Sequence, residues 1–72
     1  MKKVFRLKDL DCANCAAKME AAINQIDGIT KATVSFMTQR LTIECEADQM
    51  DEMIQKAQRA ISKIEPDCRI IL

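Results

Sequence analysis

The chain has 72 residues, with 11 basic and 11 acidic side chains and a formal net charge of +0 at pH 7, which fits one small domain spanning 1–72. Balanced charge and 3% aromatic content argue against a nucleic-acid partner, which would want a basic face and stacking platforms. The absence of histidine removes imidazole from both acid–base chemistry and metal ligation.

No apolar run approaches the roughly 20 residues of a bilayer span, so direct membrane insertion is not expected. The opening MKKVFRLKDLD lacks the apolar stretch of a signal peptide. A cytoplasmic location follows as the expectation. In that reducing compartment the four cysteines do not read as a disulfide framework.

In chain order, Phe5 and Leu7 form the apolar face of a first strand, and a polar break covers Lys8–Asn14. From Cys15 the spacing turns helical, with Ala16, Met19, Ile23 and Ile26 on one face. Gly28 is expected to stop that helix as a left-handed C′ residue. A second strand runs from Ile29 to Phe36, with Ala32, Val34 and Phe36 on one side. Met37–Gln39 is a short connection, and Leu41, Ile43 and Cys45 line a third strand that completes a hairpin.

A second helix is predicted over Asp48 to about Ile64, with Asp48 as N-cap and Asp51 and Glu52 in the first turn. Its apolar stripe is Met50, Met53, Ile54, Ala57, Ala60, Ile61 and Ile64, and Pro66 prevents its continuation. Cys68 to Leu72 is a last strand with Ile70 and Leu72 inward. The order β-α-β-β-α-β predicts an α+β, ferredoxin-like sandwich: two helices on one face of a four-stranded antiparallel sheet, joined by right-handed crossovers. Its topology brings Asp9–Cys15 and Lys63–Cys68 to one edge.

The chemistry concentrates in Asp11-Cys12-Ala13-Asn14-Cys15, where a strand hands over to a helix. An i,i+3 spacing across a helix start aims two sulfurs at one point, and first-turn N–H groups stabilise thiolates there. Thiolates are the ligand form for soft and borderline metals. Asp11 can add a carboxylate oxygen. A redox dithiol is the competing functional reading of the CxxC, although the chain is short for a thioredoxin-like fold. Two buried small hydrophobes would be the bland reading, which the polar flanks disfavour. Cys45 reads as a core residue, and Cys68, at the edge near the site, stays open as a ligand. Met19, Met50 and Met53 fall on helical apolar stripes and read as packing, while Met37 is placed in the hairpin turn, away from the site.

Leu10-Asp11-Cys12-Ala13-Asn14-Cys15-Ala16-Ala17-Lys18-Met19-Glu20, with Gly28 following, resembles a heavy-metal-associated domain, and the resemblance runs the whole chain. Such domains are copper chaperones, mercury-binding proteins or cytosolic N-terminal modules of metal-exporting P-type ATPases. The copper members carry Met-Thr or a similar pair before the first cysteine and an aromatic residue in the last loop. Here stand Leu10-Asp11 and Ile64-Glu65-Pro66-Asp67.

Aspartate directly before the first cysteine is similar to the zinc, cadmium and lead exporters. The resemblance therefore implies Zn2+, Cd2+ or Pb2+ bound by Cys12, Cys15 and Asp11, with Cu+ as the alternative. A fourth ligand would be Glu65, Asp67 or water, although solvated loop acids are the first reading of both residues. The implied partner is the transmembrane metal site of the same ATPase; a free-standing metallochaperone is the alternative, and a metal-bridged dimer stays open. No nucleophile–base pair is present, so the domain itself is not expected to be an enzyme.

Overall fold

The computed structural model describes residues 1–71. Four strands, β1 (Lys2–Lys8), β2 (Ile29–Ser35), β3 (Arg40–Cys45) and β4 (Arg69–Ile71), form one antiparallel sheet in the order β2-β3-β1-β4. Helices α1 (Ala13–Asn24) and α2 (Met50–Ile64) pack on each other and on one face of the sheet. This is the predicted ferredoxin-like sandwich. Leu72, predicted inward, lies outside the described residues.

Alternation makes the sheet one-sided. Phe5 and Leu7 on β1 and Leu41, Ile43 and Cys45 on β3 are buried, while the residues between them face outward or sit half-buried. Register places Phe5 opposite Leu41 and Leu7 opposite Ile70, so the inward side chains stack into rows. From the helices, Met19, Ile23, Met53, Ala57 and Ile61 fill the space above them. Burial of each large side chain contributes about 1.5–3 kcal/mol.

Four local expectations are corrected. The first helix ends at Asn24, and Gly28 is not its C′ residue. Instead Gly28, at φ 102°, occupies the third position of a turn closed by the Ile29 N–H donating to the Ile26 carbonyl (3.2 Å). Ile26 therefore packs from a turn rather than from the helical face. A Cβ on Gly28 would stand 3.0 Å from the Met53 sulfur, so helix α2 seals the same turn.

Second, β2 does not alternate from its start. A register shift between Ile29 and Lys31 inserts an extra residue, which lets Ile29 and Ala32 both face the core. Third, β2 stops at Ser35, so Phe36 leaves the sheet and sits exposed in the turn. Fourth, Asp48 is not an N-cap: it lies within a 3₁₀ turn, Ala47–Gln49, and α2 begins at Met50 with no side-chain cap.

Side chains from the helices cover part of both edges of the sheet. On β2, Asn24 Nδ2 donates to the Ala32 carbonyl (2.9 Å), the Ala32 N–H donates to Asn24 Oδ1 (2.8 Å), and the Val34 N–H donates to Glu20 Oε1 (2.8 Å). On β4, the Ile70 N–H donates to Gln58 Oε1 (2.8 Å) and Gln58 Nε2 donates to the Cys68 carbonyl (3.2 Å). Groups that an edge strand normally leaves open are thereby satisfied within the molecule. Replacing Asn24 with alanine is expected to cost about 1 kcal/mol, since water substitutes only partly for the paired amide. In a domain this small that lowers the midpoint of thermal unfolding by roughly 4–8 °C, readable by circular dichroism.

Candidate metal centre

The site begins with the end of β1. Asp9 takes a left-handed backbone (φ 61°), which turns the chain out of the sheet. Leu10 then drops its side chain into the core, 2% exposed, although it stands within a segment expected to be polar. Asp11 is exposed, and Cys12 follows as the N-cap of α1, with extended dihedrals of −133° and 123°.

The cap is made by sulfur. The Cys15 backbone N–H donates to Cys12 Sγ at 3.4 Å, in the place where a serine or aspartate oxygen usually accepts. The Ala16 N–H donates to the Cys12 carbonyl at 3.0 Å and opens the helical ladder. Both cysteines are half-buried, neither sealed in the core nor fully free.

Electrostatics splits the pair. Hydrogen bonds from the backbone N–H and the thiol of Cys15 lower the pKa of Cys12, with a further contribution from the Asn14 N–H. Cys15 moves the other way, pushed up to about 11 by its hydrogen bond to the Cys12 sulfur, then by the Glu65 carboxylate and by burial. Of the two, Cys12 is therefore the sulfur that ionises more readily, and Cys15 the one that keeps its proton.

Glu65, at the C-terminal cap of α2, stands close enough to Cys15 for its carboxylate to raise that thiol's pKa, so the two segments predicted to meet do so. Asp67 is exposed in the turn that follows. Cys68 is fully buried, and desolvation raises its pKa, with Glu65, Asp9 and Asp11 adding to the rise. It lies beneath the site as a neutral core thiol. Cys45 is buried against the Met50 sulfur (3.9 Å), as expected. Among the described residues, no three cysteine, aspartate or glutamate side chains converge into a ready-made donor set.

The structure corrects the placement of the β2–β3 turn. Because β1 and β3 are antiparallel, β1 ends where β3 begins, and the turn carrying Met37 sits at the metal-loop end. Gln39 ties it there. Gln39 Nε2 donates to the Leu10 carbonyl (2.7 Å), and the Leu10 N–H donates to Gln39 Oε1 (3.3 Å). Sequence reasoning missed Gln39; the same antiparallel logic that paired the other two loops could have found it.

A loop bearing two half-exposed sulfurs at a helix start, on this six-element sandwich, is a metal-binding arrangement, and comparison with known proteins agrees. Residues 4–67 match the heavy-metal-associated domain. The chain belongs to that family. Such a domain binds metal and is not itself an enzyme.

The chain is 30% identical over 66 residues to a cadmium, zinc and cobalt-transporting ATPase of Bacillus subtilis, a match covering 92% of this chain and 9% of that protein. It thus spans under a tenth of the length of the curated relatives it matches. Among solved structures it resembles the apo-form N-terminal domain of ZntA, with a TM-score of 0.72 and 25% identity over 99% of this chain and 92% of that one. It equally resembles the Cu(I)-loaded N-terminal domain of a potential copper-translocating P-type ATPase from Bacillus subtilis, with a TM-score of 0.76 and 25% identity over 99% and 84%. No helix among the described residues is long and apolar enough to cross a membrane.

Proposed function

We propose that this heavy-metal-associated domain binds a soft divalent cation, Zn(II), Cd(II) or Pb(II), through Cys12, Cys15 and Asp11. It then passes the ion to the transmembrane site of a metal-exporting P-type ATPase from the cytoplasmic side. The observation that carries the reading is the acidic setting of the two sulfurs. Asp11 precedes Cys12 directly, and the Glu65 carboxylate stands close enough to Cys15 to raise its pKa.

Two thiolates with a carboxylate bring three negative charges, which a divalent ion balances better than a monovalent one. Zn(II) accepts oxygen beside sulfur and favours four ligands. Cu(I) is satisfied by two sulfurs, and a third anion beside it is uncompensated. The relation to cadmium- and zinc-transporting ATPases supports the divalent assignment. The likeness to a copper-translocating ATPase domain favours Cu(I) as the second reading.

The site is open, so an incoming thiolate attacks before the existing bonds break. Metal is then held firmly at equilibrium yet exchanged quickly. Asp11→Ala separates the two readings by competition titration. The divalent assignment requires Zn(II) and Cd(II) to bind roughly 10–100-fold more weakly to the variant, with Cu(I) changing less than about threefold. Zn(II) indifferent to the substitution, with Cu(I) held tightly by two sulfurs, would assign the domain to copper.

A further inference from the structure

We infer that Gln39 is a positioning residue for the metal loop: its side-chain amide pins the Leu10 peptide and so sets where Asp11 and Cys12 stand toward the ion. The inference rests on the metal-binding reading above and concerns a residue 27 positions beyond Cys12 in the chain, on a different element.

All the hydrogen-bonding capacity of the Gln39 side-chain amide nitrogen is used. Nε2 donates to the Leu10 carbonyl at 2.7 Å and to the Phe36 carbonyl at 3.0 Å, while Oε1 accepts the Leu10 N–H at 3.3 Å. The side chain thus imitates a strand residue, bridging Leu10 at both of its main-chain groups after β1 itself has ended.

Gln39 does so from an unfavourable backbone. Its φ is 55°, the left-handed region where glycine, asparagine or aspartate is the usual occupant. The turn alone would be better served by one of those. Its main-chain carbonyl, which accepts the Leu7 N–H at 2.8 Å, would make that bond whatever the side chain. What only glutamine supplies here is reach to Leu10.

The consequence falls on the ligands. The Leu10 carbonyl belongs to the same rigid peptide unit as the Asp11 nitrogen. Cys12 is fixed from the other side, by its carbonyl accepting the Ala16 N–H and by its sulfur accepting the Cys15 N–H. Between these anchors only the Asp11–Cys12 peptide is free to turn. Releasing Leu10 frees Asp11 to sweep away from the sulfurs, so the domain would have to order the loop at the moment of binding.

Gln39→Gly and Gln39→Met test this. The first relieves the backbone and the second keeps the bulk; both remove the clamp. In the metal-free protein the Leu10 amide is expected to exchange with solvent at least about tenfold faster in both variants, with the Ile43 amide unchanged. Cd(II) affinity, read by competition and by the sulfur-to-cadmium charge-transfer band, is expected to fall about 10–100-fold. The unfolding midpoint of metal-free Gln39→Gly is expected to stay near that of the parent, which separates positioning from general destabilisation.

Unchanged Leu10 exchange, or faster exchange with Cd(II) affinity within about threefold of the parent in both variants, overturns the inference. So does an affinity loss that appears only in a variant whose metal-free fold is equally weakened. If the parent and Cys12→Ser bind Cd(II) alike, the metal-binding reading has failed instead, and the exchange measurement still decides whether Gln39 holds the loop.

Discussion

Replacing either Cys12 or Cys15 with serine is expected to lower Zn(II) and Cd(II) affinity by roughly two orders of magnitude or more. Structural zinc sites bind with about 10–16 kcal/mol shared among four ligands, so one thiolate carries about 3 kcal/mol. A serine hydroxyl does not replace it, because it stays protonated at neutral pH and offers a soft metal a hard, neutral oxygen. The two variants should differ in their metal-free state. Cys12→Ser replaces the capping sulfur with a hydroxyl able to accept the same N–H, and removes the sulfur hydrogen bond that most raises Cys15. Cys15→Ser leaves the position 15 N–H free to cap as before. Competition with a chromophoric chelator measures both, and a loss below about threefold in either would contradict the two-sulfur site.

Metal affinity is also expected to climb steeply with pH. The sign follows from competition, since a metal displaces the protons its ligands carry. Cys15, with its pKa pushed up to about 11, is protonated throughout pH 6–9. Its proton must leave on binding, which alone gives about a tenfold gain in affinity per pH unit. Cys12, whose pKa is lowered by the Cys15 N–H and thiol, gives up its proton more readily and adds less to that slope than its neighbour. Calorimetry in buffers of different ionisation enthalpy counts the released protons directly, and one to two per metal is the expected result. A count of zero would mean the metal does not meet Cys15.

Glu65→Gln gives the same experiment a second edge. Removing the carboxylate relieves Cys15 of its second-largest upward influence and lets that thiol ionise more easily. If Glu65 acts only on the thiol, affinity at neutral pH rises; if it coordinates the ion, affinity falls.

Much of this architecture was readable from residue order because the hydrophobic period changes cleanly between elements. The Met19–Ile23 and Met50–Met53–Ala57–Ile61 spacings each present one buried helical face, and the alternation of Leu41, Ile43 and Cys45 can only be a one-sided strand. The CxxC was legible because its spacing, its hinge position and its polar neighbours pointed the same way. What escaped is local geometry that periodicity does not encode. A bulge let Ile29 and Ala32 share a face against strict alternation. Gly28 carries positive φ as expected, but for a separate turn, Ile26 to Ile29, four residues beyond Asn24 at the end of the helix.

Leu10 was hidden by its setting. One apolar residue within Lys8–Asn14 shows no period, yet it plugs the core and anchors the metal loop. Met37, 89% exposed, sits at the metal-loop end because the β2–β3 turn shares that end with the close of β1, a pairing that the turn's own residues do not encode. Asp11 is of another kind. Its carboxylate is exposed, and an exposed acid leaves no mark on hydrophobic pattern or fold.

The hydrogen bonds from Asn24, Glu20 and Gln58 to the outermost strands bear on how these molecules meet one another. A sheet with ragged flanks can recruit a neighbour's backbone and grow into fibrils when molecules are crowded together. Here part of each flank is already occupied from within the molecule, which weakens it as a template for a neighbour's backbone.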